Sequence, residues 1–199
     1  MNTLPLRRWF PRAGVILASV AALPLAQAHP GHGASDGLIA GLTHPLTGWD
    51  HLVAMTALGF WAASQGKKAR WVLPAAGLCA MALGALLGHA LGPVAATDQG
   101  IAASLLVLGL LMAAAVRLPL AVGAAVGGVF TLFHGLAHGA EMPASSHGLT
   151  FGLGFLFTSA CLLAAGGGLG MVAGKSFRPI PRLAGAAVAV AAVIALARL

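Results

Sequence analysis

The chain has 199 residues, of which 59% are hydrophobic and only 8% charged. Its apolar stretches are longer than a water-soluble domain of this size can bury, which excludes an ordinary globular domain. The formal net charge of +7 does not point to nucleic acid, because the basic residues stand in short groups between apolar segments and form no aromatic-interleaved basic face.

The first 28 residues read as a secretory signal peptide. Arg7, Arg8 and Arg12 form a basic start, an apolar run follows from Ala13 to Leu25, and Ala26-Gln27-Ala28 is an A-x-A cleavage site. At about 13 apolar residues the run is short for crossing a ~30 Å hydrocarbon core, which favours cleavage over anchoring. The mature chain, 29–199, then begins His29-Pro30-Gly31-His32. His29 there offers an α-amino nitrogen and an imidazole together, while Pro30 contributes no amide hydrogen; a metal chelate and an incidental linker fit this start equally well.

Six further stretches approach the ~20 residues needed to cross a bilayer. They are Leu38 to Ala63, Trp71 to Ala95, Gly100 to Val116, Leu118 to Met142, Leu149 to Ala173 and Leu183 to Leu196. Ten-residue alternation of the barrel type is absent, so the expected fold is all-α, a polytopic six-helix transmembrane domain. Cys79 and Cys161 lie in separate spans without C-x-x-C spacing and read as small core residues. The glycine-rich stretch Ala164 to Met171 in the fifth span reads as a helix-packing surface.

Two independent lines set the direction of the chain. Signal cleavage leaves His29 outside, which makes the first, third and fifth connections cytoplasmic. Those connections carry Lys67, Lys68, Arg70, Arg117, Lys175, Arg178 and Arg182, while the external ones carry no basic residue. This is the positive-inside pattern. The expected location is therefore a bacterial inner membrane, multi-pass, with both mature termini periplasmic.

Helical rise then gives approximate depths. At about 1.5 Å per residue, His44 lies roughly 9 Å and His51 roughly 20 Å inside the outer end of the first span, with Asp50 beside His51. The fourth span places His134 roughly 12 Å and His138 roughly 6 Å below the outer end, and Glu141 at the mouth. His89 in the second span falls near 9 Å by the same count. His134, His138 and Glu141 stand at i, i+4 and i+7 and share a helix face. His44 and His51, seven apart, share one if the helix runs on through Pro45, with Met55 one turn further in. Asp50 points about 100° off that line, so it supports a histidine or depends on a local break. Gly41, Pro45 and Gly48 favour such a break.

A carboxylate near mid-membrane costs on the order of 3 kcal/mol on insertion scales, so the polar residues need a partner. A structural His–Asp pair would serve, but two clusters at matching depth on two helices favour a metal site. Imidazole and carboxylate without thiolate suit Ni²⁺, Co²⁺ or Zn²⁺.

These residues also carry a resemblance. "HPLTGWDH" (His44 to His51) and "FHGLAHGAE" (Phe133 to Glu141) resemble the two signature motifs of the HupE/UreJ family, membrane proteins regarded as nickel or cobalt permeases and associated with metal supply to hydrogenase or urease. The resemblance covers the whole mature chain. It implies that His44, Asp50, His51, His134, His138 and Glu141 handle the metal, and it leaves nickel against cobalt open.

The residues themselves suggest a pathway. His29, His32 and His147 would capture an external ion, His138 and Glu141 would receive it, and His44, His134, His51 and Asp50 would pass it inward. Beyond them only Met55 and backbone carbonyls offer ligands. No P-loop is present, so this chain does not consume ATP. No permanent cofactor is expected, the ion being cargo, and the partners are a divalent metal, the lipid bilayer and a downstream metallochaperone of unknown identity. Spans one and four run in opposite directions and each carries a His/acid motif, which hints at a 3+3 inverted repeat. The rival readings are an intramembrane metal-dependent hydrolase with Asp50 or Glu141 as base, a b-type haem protein with two axial histidines, and a metal sensor or chaperone that does not transport.

Overall fold

The computed structural model describes residues 34–142, 147–176 and 179–199. The proposed signal peptide, His29 and His32 lie outside the described residues. Among the described residues seven helices follow one another: α1 (Ala34–Thr47), α2 (Trp49–Ser64), α3 (Ala69–Leu91), α4 (Thr97–Ala113), α5 (Leu120–Ala140), α6 (Gly148–Ser176) and α7 (Pro179–Leu196). Among them α3, α5, α6 and α7 are long and apolar enough to cross a membrane, and α4 is a shorter apolar helix. Trp71, Leu86 and Leu149 are two-thirds or more exposed on the outside of the bundle. That distribution suits lipid rather than water.

The sequence places one span where α1 and α2 stand. The chain divides it at Gly48, which takes an extended conformation (φ −82°, ψ 108°). Pro45 lies inside α1, one turn before the break, and its missing N–H already weakens the backbone ladder there. His44 and His51 therefore belong to different helices and do not share one continuous helical face. The bend brings them to the site from two directions instead.

Three helix pairs build the bundle: α1 and α2 lie along α6, α3 along α5, and α4 along α7. In each, glycine lets backbone touch backbone. A Cβ on Gly41 would collide with the Phe151 carbonyl, and one on Gly59 with that of Leu163. Gly84 meets Leu132 and Gly88 meets Leu136 in the same way. Contact positions rise together along these two pairs, so the paired helices are parallel. In the third pair Gly109 meets Ala189 and Gly185 meets Ala113; one number rises as the other falls, and the helices are antiparallel. Small residues at such crossings give the close van der Waals contact that drives association in lipid, where burying apolar surface contributes little.

Met55, Leu58 and Trp61 of α2, Leu73 of α3, Leu105 of α4 and Phe155 of α6 fill the interior between the pairs. The two cysteines, read from the sequence as core residues, are free and exposed. The inward stripe of α3 is Gly77, Met81, Gly84 and Gly88, and Cys79 falls off it.

Connections are short and tied. Gln65, after α2, donates its Nε2 to the Val116 carbonyl (2.9 Å) and accepts the Leu118 N–H at Oε1 (3.0 Å). It staples the end of α2 to the linker between α4 and α5. That linker leaves α4 through Ala115 at φ 53°, with the Val116 N–H closing back on the Leu111 carbonyl at 3.0 Å, a left-handed helix stop of Schellman type.

Candidate metal centre

The last turn of α1 carries His44 and the last turn of α5 carries His138, with Glu141 one residue beyond α5. Their polar atoms converge. His44 Nε2 lies 2.8 Å from His138 Nδ1 and 3.0 Å from Glu141 Oε2, and His138 Nδ1 is 3.1 Å from the same oxygen. Among the described residues this is the one group of three histidines or acids whose ligand atoms all lie within 4.8 Å of one another. Each of the three offers a lone pair, and neutral rings cannot supply hydrogens along all three edges at once. An ion held by all three would draw on two imidazole nitrogens and one carboxylate oxygen, ligands that bind transition metals at about 2.0–2.2 Å.

The group stands at the rim of the bundle. The Glu141 side chain is 57% exposed and that of His44 29%, whereas His138 is almost covered. Hydrogen bonds from His138 and then His44 hold the Glu141 carboxyl, which lies outside the spanning helix, well below the usual carboxylate range. The site therefore carries a carboxylate charge at neutral pH.

Two more histidines lie directly beneath. The His51 ring centroid is 5.1 Å from that of His138 and 5.4 Å from that of His134. Donor counting assigns their tautomers. Ser159 donates its single hydroxyl hydrogen to the Phe155 carbonyl at 2.7 Å. It must then accept from His51 Nε2, 2.9 Å away, which puts the His51 hydrogen on Nε2 and leaves Nδ1 bare. His134 Nδ1 donates to the Phe130 carbonyl at 3.0 Å, leaving Nε2 bare. While Glu141 accepts from His138 Nδ1, the Nε2 of His138 is bare as well; an ion on Nδ1 would require that hydrogen to move to Nε2. His51 Nδ1, His134 Nε2 and His138 Nε2 are all buried without a hydrogen-bond partner. A buried polar atom in that state costs about 1–3 kcal/mol, so each of the three is a nitrogen that a ligand could complete.

The remaining expected residues separate. Asp50 stands in the first turn of α2, where its Oδ1 accepts the His51 backbone N–H at 2.8 Å. It orders the start of α2 beneath the break and stays within electrostatic reach of His134, outside the three-residue group. His89 is exposed on α3 and is not brought to the cluster. His147 precedes α6, packed where a side chain on Gly37 of α1 would stand. Met55 is buried one turn beyond His51.

α6 supplies what reading the motifs alone misses. Phe151, Phe155 and Ser159, spaced four apart, form a stripe against the histidines. The Phe155 ring lies 4.9 Å from His51 and 5.1 Å from His138, and Phe151 lies 5.5 Å from His44. Thr158 ties the stripe to α1, donating to the Leu42 carbonyl at 2.9 Å. The four-residue spacing is visible in the sequence, but nothing in it says that this face meets the histidines.

No solved structure matches the chain. A curated relative, "Protein HupE" of Rhizobium leguminosarum bv. viciae, is 42% identical over 176 residues, covering 88% of this chain and 92% of that protein. The sequence model described as "HupE / UreJ protein" matches residues 17–195. That match spans both histidine motifs and all seven helices but the last residue of α7, and so the chain belongs to the HupE/UreJ family.

Proposed function

We propose that this protein is an inner-membrane permease for a divalent transition metal, Ni²⁺ foremost and Co²⁺ next, supplying metalloenzyme maturation such as that of hydrogenase or urease. The observation that carries the reading is the stack of ligands at one end of the bundle. The half-exposed group of His44, His138 and Glu141 lies above His51 and His134, whose bare nitrogens are buried. A closed structural metal cage would be buried and complete. A rim site followed by deeper unpaired nitrogens suits an ion that binds and moves on.

Helix directions support a six-span course after a cleaved signal peptide, with α1 and α2 together forming the first span. Spans one and five are parallel, two and four are parallel, and three and six are antiparallel, as alternate crossings require. The contacts also support a 3+3 inverted repeat. Exchanging the halves turns the pair of spans one and five into the pair four and two, and maps three and six onto each other. The glycine contacts keep register under that exchange: Gly59 on Leu163 corresponds to Gly135 on Met81, Gly166 on Thr56 to Gly84 on Leu132, and Gly170 on Phe60 to Gly88 on Leu136. Such a repeat places the ion site where the two halves meet. The membrane potential favours influx of a divalent cation by about 4.6 kcal/mol per 100 mV.

The test is uptake of radioactive nickel and cobalt into proteoliposomes holding purified protein, with His44→Ala alongside. Accumulation by the wild type and its loss in the variant are the expected result. Tight binding without accumulation would overturn transport and favour a sensor or an intramembrane hydrolase.

A further inference from the structure

At the end of the bundle away from the histidines, α2, α4 with the linker after it, and α7 enclose a cavity of about 560 Å³, a volume typical of sites for small organic ligands. Phe60, Leu111 and Met112 give it an apolar wall, and Arg117 and Arg182 line it as well. Phe60 and Met112 are buried while both arginines are exposed, so the apolar part lies deep and the guanidinium groups stand at the mouth.

Charge in this cavity is one-sided. The chain has four acidic residues, Asp36, Asp50, Asp98 and Glu141. None of them lines the cavity, and no ion pair among the described residues involves Arg117 or Arg182. Arg182 also stands in the first turn of α7, where no acidic residue offsets it and the helix dipole disfavours a cation. Trp61, another lining residue, is 1% exposed, and its indole N–H has no partner. The remaining polar side chains are occupied: Gln65 spends both ends of its amide on the linker, and Ser64 donates to the Trp61 carbonyl at 2.7 Å. What is left free is hydrogen-bond donors and positive charge beside an apolar wall. Such a lining repels a metal ion and attracts an anion with an apolar portion.

We infer that this cavity binds the headgroup of an anionic phospholipid, its phosphodiester held by Arg117 and Arg182 and the start of an acyl chain lying against Phe60, Leu111 and Met112. Phosphate oxygens match the forked donors of guanidinium. A free phosphate would satisfy the arginines and leave the apolar wall wet, whereas a lipid covers both. The proposed topology puts this end on the cytoplasmic side, beside the anionic headgroups of that leaflet, where basic pockets between spans take lipid phosphates. Because α2, α4 and α7 all contribute to the wall, a bound lipid ties the α4–α7 pair to α2.

The experiment uses the full chain in detergent and three probes: phosphatidylglycerol, phosphatidylcholine with the same acyl chains, and inorganic phosphate. Native mass spectrometry reads the lipid retained, and thermal unfolding reads its effect. Phosphatidylglycerol is expected to be retained in preference to phosphatidylcholine and to raise Tm by about 5 °C. The double variant Arg117→Gln, Arg182→Gln is expected to weaken retention roughly tenfold. Changing Lys67→Gln and Lys68→Gln together, basic residues of the same end that do not line the cavity, is expected to leave retention as in the wild type. Equal retention of the two lipids, or an equal loss in the lysine variant, would overturn the site in favour of general surface attraction. Protection by inorganic phosphate matching that by phosphatidylglycerol would overturn the lipid assignment and leave a free-anion site. Should the double arginine variant unfold, Arg182→Gln decides alone. These readings need neither metal nor transport, so their failure is distinct from failure of the permease reading.

Discussion

At the basic end of the bundle Gln65 uses both halves of its amide, one on the Val116 carbonyl and one on the Leu118 N–H. At the histidine end His51, His134 and His138 each bury a ring nitrogen with no partner. Both arrangements place polar atoms among apolar helices, yet one is closed and the other open. A satisfied group holds the fold together and asks for nothing more. An unsatisfied group costs about 1–3 kcal/mol; Trp61 Nε1, toward the basic end, is one as well, but three of them fall at the histidine end. The difference sets a structural clasp against the proposed binding path without reference to any motif.

The contrast can be broken most forcefully at His138, whose Nδ1 stands at the rim and whose Nε2 is buried without a partner. His138→Ala is expected to lower nickel affinity on the order of 100-fold while the protein still extracts and runs as a single species in detergent. Affinity within fivefold of wild type, by calorimetric titration, would remove the open end from the comparison. The converse change is Gln65→Leu, which orphans a carbonyl and an N–H at the closed end. It should destabilise the protein by about 1–3 kcal/mol in thermal unfolding yet leave nickel affinity unchanged. A matching fall in affinity would show that the two ends are not separable. The mildest test is Ser159→Ala. Freed of its hydroxyl partner, His51 can place its hydrogen on Nδ1, and nickel affinity should drop roughly tenfold with little loss of stability. No change would mean that Ser159 does not set the His51 tautomer.

Much of this architecture could be read from the chain alone. The apolar lengths located α3 to α7 to within a few residues, as with Gly100 to Val116 against Thr97–Ala113, because crossing length and hydropathy are local properties. The break near Gly48 was foreshadowed by Pro45 and two glycines, although its result was not: a continuous helix would align His44 with His51, and the observed bend aims them separately. Asp50 and His89 show where such reading stops. Each sits at a suitable depth, but which face of a helix turns inward depends on which glycines meet a neighbouring backbone. Gly88 is packed against Leu136, and this leaves His89 outside. Ser159 was hidden for the same reason, its partner lying 108 residues away.

Where backbones touch, as at Gly59 and Leu163 or Gly84 and Leu132, neither helix can roll or slide without atoms overlapping. Each glycine-locked pair therefore behaves as a stiff beam. The seams between beams are lined instead by side chains such as Leu58, Leu105 and Leu108, which can change rotamer. Any rearrangement that opens one face of the bundle and closes the other will move whole pairs, hinged on leucines, and will carry His44 with α6 and His138 with α3.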